Sequence, residues 1–245
     1  MTHPQSLARA PITEALVDIR ATPSALLSAQ ADVLSRELAP RFPRNSPLLE
    51  LQTELRVDNG APQVVQSQTL KGLRFDSQTG DAIVQLRDSG FTYNRLKEYT
   101  DGASLIDEAL DLWGLFVKHG KPESVSRVAL RYINTLEFPE AKMDELGRFL
   151  VFPPACPTGL GIITEHGTRC VASDVTSRTS VIVTQSVTHV LPAGGVKVVL
   201  DVDAFRLAEW VPDPAALRPT LDTLRGLKNV GFFGMITKET VERYK

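Results

Sequence analysis

Between residues 82 and 138 the spacing of apolar positions changes period twice. AIVQLRDSGFTYNRL alternates apolar and polar residues as a half-buried strand does, with Ser89-Gly90 marking a bulge or break inside it. Leu105, Ile106, Ala109, Leu110, Trp113, Phe116 and Val117 then recur every three or four positions, which predicts an amphipathic helix. Ser104, with Asp107 three residues on, approximates a capping box, and Lys118, His119 and Gly120 close the helix ahead of Pro122. VSRVALRYINTLEF returns to the period of a strand.

The chain on either side follows the same grammar. Residues 15–20 alternate as a strand, and Thr22-Pro23 opens a helix carrying Leu26, Leu27, Val33, Leu34 and Leu38 to about Ala39. Pro40, Pro43 and Pro47 stop it and hold an extended loop. Strands are expected over 49–57, 63–76 and 81–96, with turns at Asn59-Gly60 and Thr79-Gly80 that indicate antiparallel hairpins. After a proline-rich connection with a short helix at 142–150, strands are expected over 162–175, 180–190 and 196–205. Their turns fall at Ser177-Arg178 and Ala193-Gly194-Gly195. Asp213-Pro214 starts a helix with Leu217, Leu221, Leu224 and Leu227 on one face, and Thr237 caps a last helix over 238–244.

Hairpins punctuated by helices define an α+β fold rather than an alternating βαβ one. The expectation is two antiparallel β-sheet units, each followed by an amphipathic helix and packed together as one globule. They are residues 1–139 (β-α-β-β-β-α-β) and 140–245 (β-β-β-α), without a residue-level repeat between them.

Composition narrows the classes of function. The 245 residues are 42% hydrophobic and 23% charged, ordinary for a folded domain that needs neither disulfide nor metal to be stable. A formal charge of -2 gives no basic excess for nucleic acid, so binding of that kind would need a local patch. The first fifteen residues lack the apolar core of a signal peptide, and no apolar run approaches the about 18–20 residues of a membrane span. Two cysteines, Cys156 and Cys170, form no disulfide framework. These features together predict a cytoplasmic protein.

Few motifs carry chemistry. The P-loop, the G-x-S-x-G elbow and H-E-x-x-H are absent, and Gly159-Leu160-Gly161 lacks the setting of a dinucleotide fingerprint. Cys156, His166, Cys170 and His189 lack the tight spacing of a zinc site. Asp201 and Asp203, alternate residues on one strand, share a face and could clamp Mg²⁺ or Mn²⁺ as in phosphoryl-transfer sites; a solvated acidic strand end is the plainer reading. Arg127 and Arg131 share a strand face, with Tyr132 and Asn134 on the other. Asn94, Arg95 and Tyr99 come close if the two strands pair. A mid-strand arginine is solvated, paired with an acid or used on an anionic ligand, and pairing with Glu14, Asp18 or Asp88 is the plainest reading.

Several stretches resemble a sporadically distributed family of prokaryotic proteins of about this length. They include Pro11-Ile12-Thr13-Glu14-Ala15, Gly72-Leu73-Arg74-Phe75, Val84-Gln85-Leu86-Arg87 and Phe91-Thr92-Tyr93-Asn94-Arg95-Leu96 with Tyr99. Leu200-Asp201-Val202-Asp203 and Lys228-Asn229-Val230-Gly231-Phe232-Phe233 with Ile236-Thr237 also fit. The most distinctive piece is Arg127-Val128-Ala129-Leu130-Arg131-Tyr132-Ile133-Asn134. Gly102-Ala103-Ser104 departs from the pattern, which leads one to expect an aromatic there. The resemblance spans nearly the whole chain and implies a cytoplasmic prokaryotic protein; it brings no activity with it.

The functional expectation is a non-enzymatic binding or adaptor protein, antitoxin-like or defence-associated, without a cofactor. Its partner would be another protein, with homo-oligomerisation possible and no membrane role. Its surface candidates are Arg127, Arg131, Tyr132, Asn134, Asn94, Arg95 and Tyr99. The alternative is a metal-dependent enzyme acting on nucleotides or phosphoesters through Asp201 and Asp203.

Overall fold

Strand β1 (Ile12–Ala21) is hydrogen-bonded on both edges and ties the two halves of the chain together. On one side it pairs with β5 (Gly90–Arg95), on the other with β6 (Val125–Phe138), both antiparallel. Around this centre run β2 (Arg44–Asp58), β3 (Ala61–Asp76), β4 (Ala82–Arg87), β7 (His166–Asp174), β8 (Thr179–Val190) and β9 (Val196–Trp210). All nine strands form one antiparallel sheet in the order β2-β3-β4-β5-β1-β6-β9-β8-β7.

This corrects the expectation of two sheet units. The strand expected over 81–96 is a hairpin of two, β4 and β5, so the first half has one strand more than the hydrophobic pattern counts; nor does the pattern say which edge meets which. β1 and β6 each carry an apolar face and two unsatisfied backbone edges, and pairing them merges the two units into one sheet. The connectivity has approximate twofold character about the β1/β6 seam. β6 stands to β9 and β8 as β1 does to β5 and β4, and a long helix follows β5 as another follows β9.

The computed structural model describes residues 7–245 except 26, 59, 60, 97, 98, 100, 162 and 191–194; the side chains of 27, 28, 52–58, 61–65 and 188–190 are also outside the description. The turn at Asn59-Gly60, Leu26, the side chains of Leu27 and His189, and Ala193-Gly194 therefore lie beyond the described residues.

The helices are α1 (Ala31–Leu38), α2 (Gly102–Gly120), α3 (Pro214–Met235) and α4 (Lys238–Tyr244), with 3₁₀ turns at Leu27–Gln30 and Met143–Arg148. They cover one face of the sheet. Ala15, Val17 and Ile19 of β1, and Val128, Leu130 and Tyr132 of β6, point into that layer and are buried. There they meet Leu105, Ile106, Ala109 and Trp113 of α2 and Leu217, Leu221 and Leu224 of α3 within one continuous core. Asp101 caps α2, accepting from the backbone N–H groups of Ala103 and Ser104, so the helix begins ahead of the expected Ser104 cap. Lys121 ends it in the left-handed conformation. Among the described residues the opposite face of the sheet carries no helix, and antiparallel sheets tolerate such a face when it is polar.

Candidate functional site

Strand alternation divides the expected site residues between the two faces. Arg127, Arg131, Asn94, Asp201 and Asp203 lie on the open face, whereas Tyr132, Asn134 and Arg95 lie on the helix side with Tyr99.

On the open face the charges form a lattice across β1, β6 and β9. Arg127 donates from Nη1 to Asp18 Oδ1 at 2.6 Å and from Nη2 to Asp203 Oδ2 at 2.8 Å. Ala129, opposite Asp18 in the register, is fully buried although no helix covers it. Its small side chain leaves room for the guanidinium to span between the two aspartates. Phe205 packs beneath, its ring centroid 4.8 Å from the guanidinium carbon. Arg131 makes a two-point contact with Asp201, at 2.8 and 2.5 Å. Asn94 donates to Glu14 and keeps its own Oδ1 buried without a donor, as is Asp203 Oδ1. Burial raises the Asp203 carboxyl above the ordinary range, more than Arg127 and Arg131 lower it, with Asp18 and Asp201 adding to the rise.

Each carboxylate of the Asp201/Asp203 pair is thus engaged by a guanidinium, which a divalent cation would have to displace. Among the described residues no group of three or more His, Cys, Asp or Glu side chains is placed to hold a metal ion. Cys156 and Cys170 are exposed and free.

Beside the lattice lies a cavity of about 280 Å³ lined by Asp18, Arg20, Arg87, Ser89 and Gly90. The register explains it. Arg127, Arg20, Gly90 and Arg87 stand opposite one another across β6, β1, β5 and β4, so glycine interrupts a row of three arginines. A side chain on Gly90 is impossible, since its Cβ would stand 2.2 Å from the Ile19 carbonyl oxygen at φ 142°. The two cations flanking that gap are weakly neutralised. Among the described residues Arg87 donates only to neutral acceptors, Gln85 Oε1 and Thr92 Oγ1. Arg20 is 63% exposed and reaches Asp18 at 3.7 Å, a carboxylate that Arg127 already holds.

The helix side holds a second polar cluster. Tyr99 and Tyr132 share a hydrogen bond of 2.8 Å between their hydroxyls. Lys228 of α3 places its ammonium 3.9 Å above the centre of the Tyr132 ring. Burial, reinforced by Arg225 one turn earlier, lowers the Lys228 pKa to about 8. Burial likewise raises both tyrosines above their ordinary values. Gly102 permits close packing here, because a Cβ at this position would lie 2.8 Å from Arg225 Nε. Arg95 turns to α2 instead, bonding Asp81 at 3.0 Å and Glu108 at 3.3 Å. Asn134 is buried and donates to the Leu200 carbonyl at 3.1 Å, a structural role.

Sequence reasoning missed Arg20, Arg87, Arg225 and Lys228. For Lys228 a signal exists: it continues the stripe Leu217, Leu221, Leu224 at helical spacing, where an apolar residue belongs. For Arg20 and Arg87 the signal is only in the register.

No protein-family model matches this chain, and neither the curated proteins nor the solved structures contain a match to it. Among the described residues no helix is long and apolar enough to cross a membrane.

Proposed function

We propose that this is a non-catalytic binding protein whose open sheet face takes an anionic group, a carboxylate or phosphate, in the hollow between Arg20 and Arg87. The observation that carries the reading is the contrast among the arginines of one face. Arg127 and Arg131 have carboxylate partners at 2.5–2.8 Å, whereas among the described residues Arg87 has only neutral ones beside the cavity. A guanidinium offers a planar fork of donors matched to carboxylate and phosphate oxygens, and the Ser89 hydroxyl adds another donor. The anion would be free in solution or carried on an acidic segment of a protein partner, as the adaptor reading requires.

Thermal denaturation with millimolar inorganic phosphate, sulfate and small dicarboxylates tests this. Ligand that binds only the folded state raises Tm. The expected result is a rise with at least one anion that is lost in Arg87→Gln, while that variant alone melts near the parent. No rise with any anion, or a rise that Arg87→Gln leaves intact, overturns the assignment.

A further inference from the structure

β7 is the last strand of the sheet, among the described residues nothing pairs with its outer backbone edge, and eight of its nine residues are exposed. The helix layer stops short of it: α3 packs on β6, β9 and β8. An edge strand exposes a row of unpaired N–H and C=O groups, and folded proteins usually blunt it with proline, lysine or an inward charge. HGTRCVASD has neither proline nor lysine, and Val171 stands 52% exposed in its middle.

We infer that β7 pairs antiparallel with β7 of a second copy about a twofold axis at Cys170, joining two sheets into one. The occupant is argued from the strand's self-complementarity. In this register the partner numbers sum to 340, so His166 at one end meets Asp174 of the other copy, and the reverse. His166 is half-buried in the single chain. Asp174 is exposed, and its carboxylate is held charged by the Thr176 backbone N–H and the Ser177 hydroxyl of its own turn. The same register sets Cys170 against Cys170 and Arg169 against Val171. The small residues Gly167, Thr168, Ala172 and Ser173 fill the remaining places.

A nine-residue strand pair covers less than the about 800 Å² per partner of a standard stable interface. The dimer is therefore weak and dissociates on dilution. Because the two sheets are related by the axis, their open faces turn to the same side.

Two measurements on the full chain test this. Sedimentation velocity over a concentration series should show a reversible monomer–dimer equilibrium. Val171→Glu places an acid opposite Arg169 of the other copy and should tighten it by roughly three- to thirty-fold, since two symmetric cross-strand pairs form. Val171→Lys should weaken it by a similar factor. Mild oxidation of the Cys156→Ser variant should trap a covalent dimer through Cys170, as directly opposed strand residues lie within disulfide reach. A monomer at every concentration overturns the pairing. A dimer indifferent to both Val171 substitutions, or not trapped through Cys170, overturns this register.

Discussion

Asp18 of β1 and Asp203 of β9 are bridged by one guanidinium, that of Arg127 on the strand between them. Neither aspartate is well exposed, at 18% and 19% of the side chain, and Arg127 itself is 13% exposed. Removing the shared guanidinium leaves both aspartates as uncompensated charges. Arg127→Met should therefore cost about 3 kcal/mol or more in urea denaturation at neutral pH. Arg131→Ala, whose side chain is 42% exposed, should cost below about 1 kcal/mol. Equal losses would refute the distinction between the two arginines.

Asp203 gives the lattice a pH signature. Its carboxyl is raised in the folded protein by burial, so the folded state binds the proton more tightly than the unfolded chain. Stability from this residue is therefore greatest at low pH and falls as pH rises from the ordinary aspartate value through the folded one. Asp203→Asn should remove that slope from the difference between variant and parent, and be no less stable at pH 7. A variant markedly less stable at pH 7 would show that the ion pair outweighs the burial.

Lys228 behaves in the opposite sense. Its pKa of about 8 lies below the ordinary lysine value, so between these limits the unfolded chain holds the proton more tightly. The cost is full below pH 8 and is relieved as pH rises toward 10.5, so stability from this residue increases with alkalinity. Lys228→Met should raise stability at pH 7 by on the order of 1–3 kcal/mol and flatten that dependence in chemical denaturation. Destabilisation by methionine would sink this account.

Glu108 of α2 is a junction on the helix side. It accepts from the buried Tyr93 hydroxyl and pairs with Arg41 and with Arg95. Glu108→Ala should cost about 2–3 kcal/mol, because Tyr93 loses its acceptor and two guanidiniums lose a carboxylate. Glu108→Gln keeps an acceptor and should recover part of the loss. Parallel unfolding curves of the two variants, with equal midpoints, would contradict this.

Much of the architecture was legible as elements and little of it as partnerships. The alternation in β6 and the apolar spacing of α2 follow directly from burial on one side, so both could be read from the chain. The β1/β6 seam could not, because alternation is the same for a strand that closes one sheet and a strand that joins two. Arg127 and Arg131 were visible as mid-strand cations, and Asp18 was among the partners expected. Asp201 and Asp203 were visible too, but the register alone makes them the acids of those arginines. Gly90 showed as a break in the pattern; its place among Arg20, Arg87 and Arg127 depends on three strands at once.

The β1/β6 seam also governs the order in which the molecule assembles. Val17 pairs with Leu130, 113 positions later in the chain (130 − 17), and β1 meets its other neighbour only at β5. During synthesis β1 must therefore wait through some seventy residues for one edge and more than a hundred for the other. Topologies dominated by such distant pairings fold slowly, because loop closure precedes its reward. During that interval β1 presents an apolar face and two open edges, features that make partly folded chains prone to aggregate. A nascent chain arrested before residue 125 would therefore be a client for chaperones rather than an independent unit.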